Sequence, residues 1–346
     1  MRIGDLKFGE RPVFLAPMED VSDPPFRLLC KELGADLVST EFVSSGGLVY
    51  EAEDCLRKLD IRDEERPVAI QIFGAATEQV CKAAQIAAGA DPDIIDINFG
   101  CPVRKVIRKE AGAGILRNLP KMRAVTEAVI KSVSKPVTVK TRLGWDDHSI
   151  RILEVARILE DVGVQAITVH ARTRCQMYKG EARWDWLKRV KEESGVQIPV
   201  IGNGDASSPQ RIKAMFEETG VDAVMVGRGA IGNPWIFRDA RLYLSTGHLP
   251  DPPSWEERIS VVTKHLEMKC EWLGERKGLL EMRRMYAGYF RGLENSSLLR
   301  RQLMEKTGKD EVIELLSSFP REEKAIQPSL PASGNRHRVS GGIGEG

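Results

Sequence analysis

The sequence lacks long hydrophobic runs, and it has almost no excess of charge of either sign. No apolar run approaches the roughly 18 residues that a membrane-spanning helix needs, and the first residues lack the apolar core of a signal peptide. We therefore expect a soluble cytoplasmic protein without a membrane partner. A net charge of +1 argues against a uniformly basic nucleic-acid binder but is compatible with a local basic patch.

Paired cysteines are also missing. The six cysteines are scattered, with neither a C-x-x-C pair nor a Cys/His cluster at the spacing of metal ligands. The sequence therefore indicates neither a disulfide framework nor a zinc site, and we expect no bound metal.

The strongest pattern present is an internal repeat in which a helix ends in glycine and a short apolar strand follows. Glycine there supplies the left-handed backbone of a helix C-cap, and the apolar runs suit strands that are buried on both faces. The repeat occurs at Gly34, Gly89, Gly163, Gly195 and Gly220.

Eight strands are predicted from such runs. Eight strand and helix units within about 240 residues indicate an α/β protein with a closed (β/α)8 fold, the TIM barrel. Three helices are expected to start at Asp23, Ser208 and Asn233, each of which precedes a proline. The strands are Val13 to Ala16, Leu37 to Thr40, Val68 to Phe73, Ile94 to Asn98, Val137 to Thr141, Ala166 to His170, Val200 to Asn203, and Ala223 to Val226.

An open doubly wound sheet is the competing fold, because Gly227-Arg-Gly-Ala-Ile-Gly232 matches the dinucleotide pattern G-x-G-x-x-G. That pattern requires a second strand about 20 residues later, with an acidic residue for the ribose. Here the chain continues into Leu249-Pro-Asp-Pro-Pro, which is typical of a linker. We therefore favour the barrel.

The linker divides the chain into a barrel domain over residues 1–247 and a small helical domain over 254–319. Residues 320–346 are rich in glycine, serine and proline and are expected to be disordered. The helical domain contains the basic and aromatic stretch of the chain, with Arg283, Arg284 and Arg291 among its cations. A solvated helix face is the plainer interpretation of those cations.

Polar residues at the carboxyl ends of barrel strands face the active site in this type of fold. Two glycine-rich loops, after the seventh and eighth strands, are expected to bind phosphate, although glycines also serve simple tight turns. The strand-end residues are Pro17, Met18 and Glu19; Gln71; Asp96 and Asn98; Lys140 and Arg142; His170 and Arg172; Asn203, Gly204 and Asp205; and Gly227 and Arg228.

Lys140 and His170 end neighbouring strands that are otherwise apolar. A charge in such a place is costly unless an anionic group meets it. A reduced flavin is anionic along one ring edge, and Gln71 could bond its pyrimidine edge. The alternative is an internal salt bridge from Lys140 to Asp96 or Asp205.

Cys101 follows the fourth strand, between Gly100 and Pro102, on a loop over the expected barrel mouth. A thiol with a pKa near 8.5 is mostly protonated at neutral pH and can donate a proton. It could instead be a nucleophile if a base lowered its pKa. An inert buried cysteine is the plainer interpretation of the residue alone.

Together these motifs resemble the tRNA-dihydrouridine synthases, with the bacterial B-type branch nearest. The resemblance covers about Arg11 to Arg301. The motifs are Ala-Pro17-Met18, Asp96-Ile-Asn-Phe-Gly-Cys101-Pro102, Val139-Lys140-Thr-Arg142, Val169-His170-Ala-Arg172, Gly202-Asn-Gly-Asp205 and Val226-Gly-Arg228.

The resemblance implies reduction of the 5,6 double bond of tRNA uridines by NADPH or NADH through flavin mononucleotide (FMN). Cys101 would be the proton donor, and any contact of Glu19 would come from its backbone. The uridine would have to leave the tRNA stack. Asn98, Arg142 and Arg172, with Arg283, Arg284 and Arg291 of the helical domain, would bind the substrate. The implied FMN contacts are Pro17, Met18, Glu19, Gln71, Lys140, His170, Asn203, Gly204, Asp205, Gly227 and Arg228.

Three other functions stay open on the residues alone. A flavin-containing barrel could reduce a small pyrimidine or ene, with the helical domain used for oligomerisation. A phosphate-binding isomerase or aldolase could use Lys140 as an amine nucleophile. A non-enzymatic RNA-binding protein could have kept the barrel. A monomer is expected for the tRNA-modifying enzyme.

Overall fold

The computed structural model describes residues 1–319, so the expected disordered tail at 320–346 lies outside the described residues. Eight parallel strands form the wall of a barrel, in the order β3-β11-β10-β9-β8-β7-β6-β4. The strands are β1 Arg2–Ile3, β2 Leu6–Lys7, β3 Val13–Leu15, β4 Val38–Ser39, β5 Val43–Ser44, β6 Val68–Phe73, β7 Ile94–Phe99, β8 Val137–Arg142, β9 Ile167–His170, β10 Val200–Asn203 and β11 Ala223–Val226.

All eight predicted strands are confirmed, with ends that differ by one residue at most. The barrel closes between β3 and β4, where Phe14 and Leu37 form an isolated parallel bridge. The Leu15 amide donates to the Leu37 carbonyl at 2.9 Å, and the Asp36 amide donates to the Val13 carbonyl at 2.9 Å. This closure rules out the open doubly wound sheet.

Helices alternate with the barrel strands and continue beyond the last one. Asp23 and Ser208 cap α1 and α9 as predicted. The prediction at Asn233 is wrong, because α10 begins at Ile236 and the side-chain amide nitrogen of Asn233 instead donates to the Gly229 carbonyl at 3.2 Å. The helices are α1 Pro24–Glu32, α2 Ser45–Val49, α3 Glu53–Arg57, α4 Thr77–Gly89, α5 Arg104–Ile107, α6 Leu119–Ser132, α7 Ile152–Asp161, α8 Trp184–Glu193, α9 Pro209–Thr219, α10 Ile236–Thr246, α11 Trp255–Leu273, α12 Glu275–Met282, α13 Tyr286–Tyr289, α14 Ser296–Glu305 and α15 Lys309–Ser318.

The hairpin of β1 and β2 covers the end of the barrel at which the strands begin. Gly4 in its turn lies against Pro136, the residue before β8. Ile3 belongs to the apolar cluster that fills the barrel interior, together with Phe14 and Ile201. Because this end is packed with side chains, space for a ligand is left at the carboxyl ends of the strands.

Helices α11 to α15 form a C-terminal helical region, in which α11 packs against α1 of the barrel. Three aromatic side chains of this region, Tyr286, Tyr289 and Phe290, are at most 2% exposed and belong to its core. They are therefore not available to stack on nucleic-acid bases, which leaves the cations of the basic and aromatic stretch as its candidate contacts to a nucleic acid. No helix between residues 1 and 319 is long and apolar enough to cross a membrane.

Candidate functional site

A cavity of about 610 Å³ opens at the carboxyl ends of the barrel strands. This volume is within the usual range for small-molecule and cofactor sites. It brings together most of the residues that the sequence singled out: Pro17, Met18, Glu19, Asn98, Cys101, Lys140, Arg142, His170, Asn203, Gly204, Asp205, Gly227, Arg228 and Arg291.

Strand register explains why several of these side chains meet. Asn98 on β7 is opposite Lys140 on β8, and His170 on β9 is opposite both Arg142 and Asn203 on its two neighbours. Residues at equal height on parallel strands form one layer of a barrel. The predicted strand ends therefore converge on one cavity.

Gln71 lies one layer below the cavity and does not line it. Its strand register places it opposite Asp96, two residues before Asn98. The Gln71 amide nitrogen donates to the Asp96 carboxylate at 2.5 Å, and its oxygen accepts from the Asn98 amide at 2.7 Å. Gln71 thus supports the cavity floor from beneath.

Asn98 connects this buried layer to the loop that carries Cys101. Its side-chain oxygen accepts from the amides of Gly100 at 3.0 Å and Cys101 at 2.8 Å. Since its amide nitrogen already donates to Gln71, the side chain keeps one free N–H for a ligand. Asn98 therefore fixes the position of the Cys101 backbone.

The Cys101 thiol lies on the cavity wall and is 7% exposed. Burial raises its pKa, although a hydrogen bond with the Val103 backbone and the charge of Arg142 act in the opposite direction. The thiol is therefore protonated at neutral pH. That state suits a proton donor and not a nucleophile, which needs the thiolate.

Two cations from β8, Lys140 and Arg142, and one histidine from β9, His170, line the cavity. Burial is the main cause that lowers the pKa of Lys140 to about 8 and the pKa of Arg142 to about 10. Burial and then the charge of Arg142 lower the pKa of His170 far below its ordinary value, so the imidazole is neutral. The cavity wall therefore concentrates positive charge.

Lys140 forms no salt bridge with a carboxylate of the described residues, although the more distant charge of Asp96 partly offsets the lowering of its pKa. Its ammonium group donates to the Asn203 side-chain oxygen at 3.1 Å. Asp96 is bonded to Gln71 and Thr138. Asp205 is paired with Arg172 and Arg228 instead. The alternative of an internal salt bridge from Lys140 to Asp96 or Asp205 is therefore wrong.

Arg172 does not reach the cavity. Its guanidinium is 1% exposed and donates to both oxygens of Asp205, at 2.8 and 2.7 Å. Partial burial opposes ionisation of Asp205, yet the hydrogen bonds from Arg172 and the Ala182 amide lower its pKa overall. Arg172 thus orients the loop after β10 from behind.

The glycine-rich loops after β10 and β11 lie against each other at the cavity edge. A Cβ atom on Gly229 would be 2.9 Å from the Ser207 Cα, and one on Gly204 would be 3.0 Å from the His170 ring. Gly204 also has a positive φ of 119°. Only glycine fits at these two positions, which brings backbone amides close to a ligand.

Tyr178 is a cavity residue that the sequence did not reveal. It comes from the loop after β9, is 52% exposed, and lies 5.1 and 5.4 Å from the guanidinium groups of Arg228 and Arg142. It follows no strand end or repeat. An aromatic residue in an unusually long βα loop was the single available signal.

Three carboxylates, those of Glu19, Asp20 and Glu41, lie within 4.8 Å of one another at the outer edge of the cavity. Lys58 pairs with Glu19 at 2.5 Å and with Glu41 at 3.6 Å, and Arg284 pairs with Asp20 at 3.0 Å. Their charges are met by protein cations, so the cluster gives no support to a metal site.

The C-terminal helical region also reaches the cavity. Arg291 lines it, whereas Arg284 contacts the loop after β3, and Arg283 lies at the end of α12 outside the cavity lining. The three arginines predicted to bind substrate together therefore occupy three different surroundings.

Solved structures resemble the barrel at low sequence identity. Histamine dehydrogenase from Rhizobium sp. 4-9 superimposes with a TM-score of 0.56 at 14% identity, covering 78% of this chain and 50% of that one. This chain therefore spans half the length of that enzyme. Morphinone reductase gives a TM-score of 0.51 at 14% identity, covering 73% of this chain and 90% of that one. These similarities establish the fold alone.

Sequence comparisons are more specific. The tRNA-dihydrouridine synthase B of Pasteurella multocida (strain Pm70) is 38% identical over 92% of this chain and 95% of its own length. A probable tRNA-dihydrouridine synthase of Rickettsia conorii (strain ATCC VR-613 / Malish 7) is 39% identical over 87% of this chain and 90% of its own. The model of the dihydrouridine synthase family matches residues 14–325. The chain therefore belongs to the dihydrouridine synthase family.

Proposed function

We propose that this protein reduces the 5,6 double bond of specific tRNA uridines to give dihydrouridine, with FMN as cofactor and NADPH or NADH as reductant. The observation that carries the proposal is the shared cavity. It combines a protonated thiol, Cys101, with a cationic wall that has no carboxylate partner at Lys140.

The cavity residues fit a flavin. Lys140 is available to meet the negative charge of a reduced ring, and Asn203 holds the ammonium group in place. The loops that carry Gly204 and Gly227 abut at Gly229 and Ser207, and with the half-exposed Arg228 they suit the FMN phosphate. Gln71 would act indirectly, by holding Asn98 and Asp96 beneath the ring. Pro17, Met18, Glu19, His170 and Asp205 complete the proposed cofactor site.

When bound, FMN would supply the hydride for one carbon of the uracil, and the role of the chain would be to supply the proton for the other. Cys101 holds that proton on its sulfur because burial raises the thiol pKa. Asn98 fixes the thiol through the Cys101 amide, and Arg142 ties the same loop by donating to the Gly100 carbonyl at 2.8 Å. With its geometry fixed, the thiol is a positioned general acid. We propose that Asn98 and Arg142 contact the uracil and that Arg172 acts through Asp205.

We propose that tRNA lies across a barrel domain, residues 1–247, and a helical domain, residues 254–319. A stacked base cannot enter the cavity, so the uridine leaves its stack, and contacts to phosphates offset that cost of a few kcal/mol. Arg291 is placed at the cavity and Arg283 on the adjoining helical surface. We expect the enzyme to act as a cytoplasmic monomer.

A small-molecule reductase with the same flavin is the less supported candidate. The relatives that span over 85% of this chain carry names of tRNA-modifying enzymes. Mass mapping of dihydrouridine in tRNA from cells with and without this protein tests the assignment. Loss of dihydrouridine at defined positions is expected, and an unchanged pattern would refute it.

Replacement of the proposed proton donor tests the mechanism. Cys101→Ala is expected to lower turnover by about 10²- to 10⁴-fold, since a positioned general acid is lost. FMN binding, measured by flavin fluorescence, should be unchanged because the thiol is not a cofactor contact. Normal turnover would remove Cys101 from the mechanism.

A further inference from the structure

The loop between β3 and α1, residues 16–23, forms one side of the cavity. Pro17, Met18 and Glu19 line it. A Cβ atom on Gly227 would be 3.8 Å from the Met18 sulfur, so this loop lies directly against the loop after β11. Any shift of the loop would change the shape of the cavity.

Arg284 of the C-terminal helical region holds the middle of this loop. Its guanidinium donates to the Asp20 carbonyl at 2.9 Å and pairs with the Asp20 carboxylate at 3.0 Å. Asp20 has a positive φ of 56°, a conformation that is unfavourable for a residue other than glycine. Aspartate tolerates this conformation better than most residues do, and the contacts of Arg284 add to the hydrogen bonds that the loop makes within itself.

Lys269 on α11 holds the end of the same loop. Its ammonium group lies 2.5 Å from the Asp23 carboxylate and 3.6 Å from that of Glu281. The side chains of Lys269 and Asp23 are at most 2% exposed. The other Asp23 oxygen caps α1 by accepting from the Phe26 amide at 3.1 Å. Lys269 thus orients the residue that ends the loop and starts the helix.

We propose that Lys269 and Arg284 are positioning residues for the cofactor, through which the helical region sets the shape of the FMN site in the barrel. The inference rests on the proposed function, in which the cavity holds FMN. It also gives Arg284 a role different from the expected contact with tRNA, because its charge is already paired with Asp20.

The loop also has one contact to the barrel and one within itself that do not involve Arg284, so the effect should be partial. The Asp20 amide donates to the Glu41 carboxylate at 2.5 Å, and the Ser22 hydroxyl donates to the Ala16 carbonyl at 2.8 Å. Loss of Arg284 would leave the loop in its binding shape for only part of the time. The apparent affinity for FMN then falls by that fraction.

The experiment is a titration of flavin-free protein with FMN, followed by quenching of flavin fluorescence. Arg284→Gln is expected to raise the FMN dissociation constant about three- to tenfold, the scale of ordering a few groups on binding. Arg284→Lys should restore part of the affinity through the Asp20 carboxylate. Arg276→Gln, which removes an exposed charge elsewhere on α12, is the matched control and should bind FMN normally.

Hydrogen exchange gives a second readout that does not need the cofactor. In flavin-free Arg284→Gln, the amides of residues 17–23 should exchange faster while the urea midpoint stays unchanged.

The double variant Asp23→Asn with Lys269→Gln removes both buried charges and keeps a capping oxygen. It should bind FMN better than Lys269→Gln alone, whose Asp23 carboxylate is left buried and unpaired.

The outcomes distinguish failure of the positioning role from failure of the proposed function. If wild-type protein binds FMN and Arg284→Gln binds it equally well, the positioning role is refuted. If Arg284→Gln loses tRNA binding in a gel shift but keeps normal FMN binding, the positioning role is also refuted, and Arg284 contacts tRNA instead. If wild-type protein binds no FMN, the proposed function itself fails, and the inference falls with it.

Discussion

Two buried groups of charged residues in this molecule differ in how their charges are balanced. At the interface between α1 and α11, Lys269 has carboxylates at 2.5 and 3.6 Å. In the cavity, Lys140 contacts only an amide oxygen, and Arg142 donates to backbone carbonyls. A buried cation that has its own counterion has a structural role. One without a counterion indicates the place of an anionic ligand.

Removing the interface cation should have the largest effect on stability. Lys269→Met leaves Asp23 buried without its partner, which costs about 3–5 kcal/mol for a broken buried pair. Urea unfolding of the flavin-free protein measures this loss. As a control, Lys131→Ala breaks only an exposed pair with Glu127 and should leave the urea midpoint nearly unchanged. Equal losses of stability in both variants would show that the buried pair of Lys269 and Asp23 contributes no more than an exposed pair.

Removing the cavity cation should affect binding instead of stability. Lys140→Met is expected to weaken FMN binding about 10- to 100-fold, because a desolvated charge contact is lost. The flavin-free protein should be at least as stable as wild type, since an uncompensated cation is gone. Fluorescence titration and urea unfolding on one preparation give both values. If Lys140→Met lost stability but kept its affinity for FMN, Lys140 would have a structural role like that of Lys269.

The pH dependence of binding sharpens the comparison. The pKa of Lys140 is lowered by burial to about 8, from 10.5. Above pH 8 the flavin-free protein loses the charge that meets the flavin, so the dissociation constant should rise up to about tenfold between pH 7 and 9. Lys140→Met should show a flat profile over this range.

Stability should follow pH with the opposite sign. Between pH 8 and 10.5 the unfolded chain holds more protons at Lys140 than the folded one. The free energy of unfolding of the flavin-free protein should therefore gain a contribution that increases across this window. Below pH 8 the penalty for the buried charge is fully present. The difference between wild type and Lys140→Met isolates this contribution from other titrating groups.

The smallest effect is expected from the solvent-facing cations. Arg283→Glu and Arg291→Glu should each weaken tRNA binding in a gel shift. Each should also make the negative slope of log affinity against log salt less steep by about 1, because a complex with one phosphate contact fewer releases fewer counterions. Neither change should alter stability by more than about 0.5 kcal/mol. A salt slope equal to that of wild type would exclude these residues from the tRNA surface.

The sequence predicts the barrel well because its signal is local and repeated. Each strand is a short apolar run, and Gly34 or Gly220 marks a helix end a few residues earlier. The sequence does not predict how far along the barrel axis a side chain lies. Gln71 and Asn98 both end up near strand ends, but only the register places Gln71 one layer lower.

Contacts between distant parts of the chain could not be predicted. Arg284 meets Asp20 across 264 residues, and no local pattern encodes that pairing. Tyr286 and Tyr289 belong to the basic and aromatic stretch of the sequence, yet they pack inside the helical region. Composition identifies residue types in a segment, and only the fold determines which of them face solvent.

The barrel closes by a single bridge, and that has a mechanical consequence. Along most of the ring, neighbouring strands pair over three to five residues, but β3 and β4 share only the Phe14 and Leu37 pair. We expect a ring to open first at its least paired joint. Residues 16–18 follow directly from β3, which borders that joint on one side and pairs with β11 over three residues on the other, whereas Lys140 is carried by the extensively paired β8. The two sides of the same cleft are therefore expected to differ in stiffness, with a compliant edge facing a rigid one.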